Sequence, residues 1–431
     1  MDDTRLGSIL LDSRVIDEAD LEKCLDIQSL TGGATPLGQI LVEQGMLDQQ
    51  LLDRVIELQQ SRRNAQRSRL VVESSGAMGY LRAAIAVGAR DLVVSEGRPV
   101  MARAGAEWRT LTEAPLRGPE VWDFVRSEMG DKVLEQLAER HCVTLDMHRP
   151  GLCRGRISAM RHFDGVAVFV EIQGEKTPGA KELGIPPRIL EIASVGRGLV
   201  LMVGERGQGR VESLSAMLAA VANDANRYIV VIDDAIGAEL PPGGALIARR
   251  RVGDHVSGYV PALRTAVRED PDAIVVGSLC HPESFDLAMR AAEGGRLVIG
   301  WIDESSVTGA LQRVLNFYPS YDIGRVRTTL ASALRAVCVR HLLPKNGGGP
   351  MVAATEALFV DAPAREILRS GDLQSLGLLM RTGEGANGHS LDHCMSALVA
   401  SGEVRIEDAY QRAEEKSWLL QRTSAVTGKG A

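Results

Sequence analysis

From residue 196 onward, short continuous apolar runs alternate with amphipathic segments. GLVLMVG (198–204), RYIVVIDD (227–234), DAIVVG (272–277) and RLVIGWID (296–303) are strand-length runs that close on glycine or carboxylates. VESLSAMLAAVAND (211–224) instead repeats its apolar positions at helical spacing. Strands separated by helices predict right-handed crossovers and a parallel sheet covered on both faces. Ligands of such sheets lie beyond the carboxyl ends of the strands. Those ends carry Gly204–Val211, Asp233–Asp234, Gly277–His281 and Trp301–Glu304. The tail from about 350 to 420 reads as helical.

Upstream, residues 73–175 mix both periods. DLVVSEGRPVMARAG predicts strands around a Gly-Arg-Pro turn, GPEVWDFVRSEMGDKVLEQLAE two helices, and TLDMHRPGLCRGRISAMR with GVAVFVEIQ strands of one sheet. The first 60 residues repeat at an offset of 31, pairing Leu6 with Leu37, Gly7 with Gly38, Leu10 with Leu41, Ile16 with Leu47 and Leu21 with Leu52. Each copy reads as helix, turn, helix, with Asp17 or Asp48 as N-cap. QQSRRNAQRSR (59–69) has no apolar face and reads as a linker. The expected organisation is a helical module over 1–64, a small α/β domain over 73–180, a parallel-sheet core over 196–345 and a helical region over 346–425.

Composition narrows the function. A length of 431 residues suits about three domains. A net charge of −7 argues against a nucleic-acid binder. No apolar run reaches the roughly 18–20 residues of a membrane span, and the acidic N-terminus is no secretory signal. Six scattered cysteines read as reduced thiols of a cytoplasmic protein, without a zinc site. Of 49 basic residues only seven are lysine, and none lies within 182–344.

GLVLMVGERGQGR has the strand, G-x-x-x-x-G and helix order of a phosphate-binding loop. With ALRTAVREDPDAIVVG, AAEGGRLVIG, GARDLVVSEGRPVMAR and REILRSGDLQSL, the chain resembles the type II/IV secretion ATPase superfamily, closest to the type IV pilus retraction ATPases. The resemblance implies an α/β fold with a RecA-like core, a smaller PAS-like α/β domain, assembly into rings and ATP as ligand. The N-terminal repeat resembles the MshE-type module of extension and secretion ATPases, which implies cyclic-di-GMP as a ligand. The matching positions are Arg5, Leu6, Gly7, Gln28, Leu37, Gly38 and Gln59, with Arg14 in place of the motif's glycine.

The chemistry departs from the family. A working loop ends in Lys and a hydroxyl residue that hold phosphates and Mg²⁺. Here Gly204, Gly207 and Gly209 lead to Arg210 and Val211. The family's acidic residue after DPDxILVG is Ser278, and its two histidines are Arg296 and Asp303. Its Glu-Asp-Pro is Asp233, Asp234 and Ala235, while Arg264 and Arg268 are retained. In the smaller domain the family's Ser and His are Arg90 and Val93. Arg is not equivalent to Lys here, since its fork is broader and its charge is spread over a plane.

Other polar groups read as follows. Asp233 and Asp234 read as strand-end carboxylates paired with arginine. Arg249, Arg250 and Arg251 read as a basic run in an exposed loop, contacting a neighbouring subunit. Cys280 and His281 point apart on an extended chain, which opposes a nucleophile–base pair. His389 and His393, four apart, read as sharing a helix face. The expectation is a catalytically silent pilus or secretion ATPase relative that regulates or scaffolds motor assembly, alone or with an authentic motor ATPase. The alternatives are an ATPase with an altered site and a cyclic-di-GMP adaptor. Titration of the full chain and of Arg5→Ala with cyclic-di-GMP separates the last: binding lost in the variant supports it, and no binding to the wild type removes it.

Overall fold

The computed structural model describes residues 76–105, 107–174, 178–235, 243–347, 351–382 and 387–427, together with 37–47 and residues 10, 16, 20, 21, 23, 24 and 52. Two compact units result, one from described residues of 1–149 and 155–173, the other from 150–154 and 174–431.

In the first unit, α1 (Leu37–Glu43) carries part of the repeat. Leu10 and Leu41, and Ile16 and Leu47, are repeat-equivalent pairs, and all four lie in one buried cluster with Cys24 and Ile40. Helix α2 (Ala77–Ala86) precedes β1 (Asp91–Ser95), β2 (Met101–Ala104) and β3 (Glu107–Thr110). Then come α3 (Gly118–Met129), α4 (Lys132–Arg140), β4 (Cys142–Arg149), β5 (Cys153–His162) and β6 (Gly165–Gln173). The six strands form one sheet in the order β3-β2-β1-β6-β5-β4. Strand β6 alternates buried and half-buried residues, as expected of a sheet with one covered face. The buried carboxylate of Asp91 is met by Arg103 at 2.5 Å and by Arg90 at 3.4 Å.

In the second unit, α5 (Pro187–Val195) leads into β7 (Gly198–Val203), α6 (Arg210–Ala222), β8 (Tyr228–Asp233) and β9 (Leu246–Arg251). Next are α7 (Tyr259–Arg268), β10 (Ala273–Val276), α8 (Pro282–Glu293), β11 (Leu297–Ile302), α9 (Val307–Asn316) and α10 (Ile323–Ala333). The remainder is β12 (Leu334–Leu343), β13 (Val352–Phe359), α11 (Ala362–Ser370), α12 (Leu373–Thr382), β14 (Gly388–His389), α13 (Leu391–Ala400), α14 (Ile406–Arg412) and α15 (Lys416–Thr427). The sheet order is β14-β13-β12-β7-β11-β10-β8-β9. The run from β12 to β9 is parallel, while β13 and β14 are antiparallel.

Every residue of β7, β10 and β11 is buried, which is why these strands read as unbroken apolar runs. One face packs against α7 to α12 and the other against α5 and α6. Phe285 on α8 is fully buried and meets Phe317 edge-on at 6.4 Å.

Three expectations need correction. The segment MVAATEALFV was read as part of a helical tail, but residues 352–359 form β13 and complete the sheet. Its pairing with β12 along eight positions overrides the helix-favouring alanines. Arg249–Arg251 lie on edge strand β9, not in a loop, because β8 pairs with them in register. His389 is on β14 and bonds Thr355, whereas His393 is on α13 beyond the Ser390 N-cap, so they share no helix face. Among the described residues no helix is long and apolar enough to cross a membrane.

Truncating the largest anchor of the broader face tests this packing. Phe285→Ala is expected to destabilise the second unit by about 3–5 kcal/mol, measured by chemical denaturation. A loss under about 1 kcal/mol would contradict the burial described.

Candidate functional site

Strands β7, β8, β10 and β11 end on the same edge of the sheet, and the predicted site segments gather there. After β7 the chain runs through Gly204 to Gly209 and enters α6 at Arg210. Gly209 is left-handed (φ 83°), and a Cβ there would lie 2.0 Å from Arg340 Nη1. Only glycine fits this turn.

The loop is held from beneath. Arg340, on β12 and 5% exposed, donates to the carbonyls of Gln208 (3.0 Å) and Leu183 (3.0 Å). Gln208 Oε1 accepts from Leu342 N at 2.6 Å. The ring of buried Trp301 lies close to Gly204, and its Nε1 donates to Asp303 at 2.9 Å. Burial pulls the Arg340 pKa down, and its bonds to backbone carbonyls are what satisfy the cation there.

On the outer side sits Arg210. Its Nη2 donates to Asp234 Oδ1 at 2.5 Å and its Nη1 to the Gly277 carbonyl at 2.8 Å, with Asp233 Oδ1 at 3.3 Å. The guanidinium therefore bridges α6, β8 and the end of β10. Asp233 Oδ1 also accepts from Asp234 N (2.8 Å) and Tyr259 Oη (3.4 Å). A Cβ on Gly277 would lie 2.0 Å from that same oxygen, so glycine lets the two strand ends approach. Burial lowers the Arg210 pKa, but the two aspartates outweigh it and hold the guanidinium charged. Burial drives the Asp233 carboxyl up to about 7, against the pull of Arg210. The same burial, with both aspartates adding to it, raises Tyr259.

Val211, which has no side-chain oxygen, lines a cavity of about 120 Å³ with apolar Leu214, Val231 and Val275 and with charged Asp233, Arg250 and Arg251. Ligand pockets are usually about 300–1,000 Å³. Arg249 also lines it, its pKa lowered by burial. Ser278 follows β10, half-buried. Cys280 Sγ approaches Asp303 at 3.9 Å.

Other predicted residues lie elsewhere. Arg264 is exposed on α7 and pairs with Glu283 of α8, and Arg268 is exposed at the far end of α7. Arg296 pairs with Asp270. Of the dinucleotide candidates, Leu37 is half-buried and Gly38 buried in α1, while Arg5, Leu6, Gly7, Gln28 and Gln59 lie outside the described residues. Arg340 and Tyr259 were missed, while Gln208 and Gly277 fell within the predicted strand-end segments without a structural role assigned to them. The visible signal was Arg340–His341 interrupting the apolar run ALRAVCVRHLL. Among the described residues no three His, Cys, Asp or Glu side chains group to hold a metal. The strand-end carboxylates Asp233 and Asp234 are both engaged by Arg210. With no hydroxyl at Val211, these residues do not fit an ATP–Mg²⁺ complex in this arrangement.

A phosphate-loop turn between a buried parallel strand and a helix defines the core of a P-loop nucleotide-binding protein. Residues 145–407 match the family "Type II/IV secretion system protein". The chain belongs to that family. It is 32% identical to the type IV pilus retraction ATPase PilT of Pseudomonas aeruginosa, over 76% of this chain and 95% of that one. It is 27% identical to the type IV pilus ATPase PilU of the same organism, over 79% and 89%. The crystal structure of the pilus retraction motor PilT with bound ADP superposes with a TM-score of 0.69 at 26% identity, covering 81% of this chain and all of that one. The ATPase DotB of Legionella pneumophila shares the fold, with a TM-score of 0.68.

The raised Asp233 carboxyl sets a pH dependence. Its folded pKa of about 7 exceeds the unfolded 3.8, so the folded state binds the extra proton. The stability it contributes is complete below about pH 4 and is lost as pH rises through about 7. Asp233→Asn is expected to flatten that component, read as the change in denaturation midpoint between about pH 5 and pH 8. An unaltered change would refute the assignment.

Proposed function

We propose that this chain is a catalytically inactive member of the secretion and pilus ATPase family that regulates or scaffolds motor assembly. The observation that carries this reading is Arg210 locked between Asp234, Asp233 and the Gly277 carbonyl. The cation at the loop's end, Arg210, pairs with the chain's own acids. Phosphoryl transfer depends on positioning and on charge compensation by metal and cation. Val211 supplies no metal-ligating hydroxyl, and Ser278 supplies no acid.

In this reading, the parallel-sheet unit keeps the family's shape and serves association. It packs with further copies or with a catalytically complete pilus ATPase, in the cytoplasm and at the inner membrane through assembly partners. The separate domains of residues 1–64, 73–180, 196–345 and 346–425 are part of the same proposal, with the first as its regulatory input.

Calorimetry and phosphate release with ATP–Mg²⁺ test it. The wild type is expected to show no turnover and no binding tighter than about millimolar. Arg210→Lys combined with Val211→Ser releases the aspartates and supplies a hydroxyl, and is expected to tighten Mg²⁺-dependent binding by about tenfold or more. Steady turnover by the wild type that disappears when Arg210 is changed would establish the altered-site ATPase instead.

A further inference from the structure

A second cavity, of about 540 Å³, lies in the same unit as the degenerate loop but is lined by different residues. Its walls are the start of α9 (Ser306, Thr308, Gln312), α12 (Gln374, Arg381), Glu414 and, at its base, Glu356 from β13. The volume falls within the usual range for small-molecule sites. Its lining is mostly polar, so an apolar side chain is not what it accommodates.

Glu356 is 4% exposed, on β13 opposite Val339 of β12. One carboxylate oxygen accepts from Val307 N at 2.9 Å. The other accepts no hydrogen bond from the described residues, and Glu356 is among the residues lining the cavity. A buried carboxylate half satisfied in this way is costly unless a donor completes it.

The surrounding charge is one-sided. Glu414 borders the cavity beside Glu356, and Asp392, 4% exposed, lies near enough to add to its field. Arg381 is the cation of the lining, and its Nη1 is already engaged by Glu415 at 3.0 Å. Burial pushes the Glu356 carboxyl up to about 7, with Glu414 and Asp392 adding to the rise and Val307 N and Arg381 opposing it. An acid that cannot easily hold its charge alone is one that a cationic donor would stabilise.

We propose that this cavity binds a small organic cation bearing a primary ammonium group, received by the free oxygen of Glu356 and by Glu414. The hydroxyls of Ser306 and Thr308 and the amides of Gln312 and Gln374 line its path. An ammonium suits the site better than a guanidinium, because three rotatable donors fit a single open oxygen without demanding a bidentate partner. The ammonium can come from a free diamine or from a lysine side chain of a partner.

The test uses the full chain in calorimetric titrations near pH 8 with two probes, putrescine and Nα-acetyl-lysine methylamide. Saturable one-to-one binding of either probe is expected, weakened about tenfold or more by Glu356→Gln and severalfold by Glu414→Gln. Preference for putrescine identifies the free amine, and preference for the lysine derivative a partner's side chain. Gln at 356 keeps an acceptor for Val307 N, and the melting temperature checks that it folds. If it does not, exposed Glu414 decides. Absence of saturable binding up to about 10 mM, or affinity unchanged in the folded variants, would overturn the proposal. Neither outcome depends on whether the phosphate-loop site hydrolyses ATP.

Discussion

The guanidinium of Arg210 is the contact on which the candidate site turns. Three separate parts of the chain meet there: the first residue of α6, the acid pair ending β8 and the carbonyl of Gly277 after β10. In a parallel sheet these strand ends converge on one edge, and carboxylates gathered there repel each other unless a cation intervenes. The chain supplies its own cation. Gly277 makes this possible, since any side chain would collide with Asp233. The planar fork of Arg210 presents separate donors to Asp234 and to the Gly277 carbonyl at once.

A second arginine complements the first from the opposite side of the loop. Arg340 lies within the sheet, and its donors are spent on the carbonyls of Gln208 and Leu183. Such a cation fixes backbone position and carries no chemistry. The loop thus rests between a buried arginine bound to backbone and a half-buried arginine bound to carboxylates. Both arrangements tie the turn to the sheet through the chain's own groups. That shape is the part of a nucleotide-binding fold a scaffold would retain, which is the basis of the proposed loss of catalysis alongside kept architecture.

The cavity at Glu356 follows the same physical rule in reverse. At the loop, two aspartates are answered by an internal guanidinium. At Glu356, several carboxylates share a region whose one lining arginine already holds Glu415. Buried charge that the protein answers itself is structural, whereas buried charge left half answered marks a place for something else.

Much of the fold was legible because its causes are local. Fully buried strands appear as unbroken apolar runs, so β7, β10 and β11 could be read directly, and β8 as a largely apolar run closing on two carboxylates. That Val211 has no side-chain oxygen and Ser278 no carboxylate was equally plain, since side-chain identity needs no geometry to be recognised. β13 was misread because alanine-rich segments have weak local preference, and pairing with β12 decided its state. The basic run at Arg249 was misread for the same reason, as register with β8 is a long-range fact. Sequence could suggest that Asp233 and Asp234 meet an arginine, but not which one. Only the tertiary structure decided that it is Arg210, because a salt bridge spanning 24 positions exists only once the crossovers bring those strand ends together.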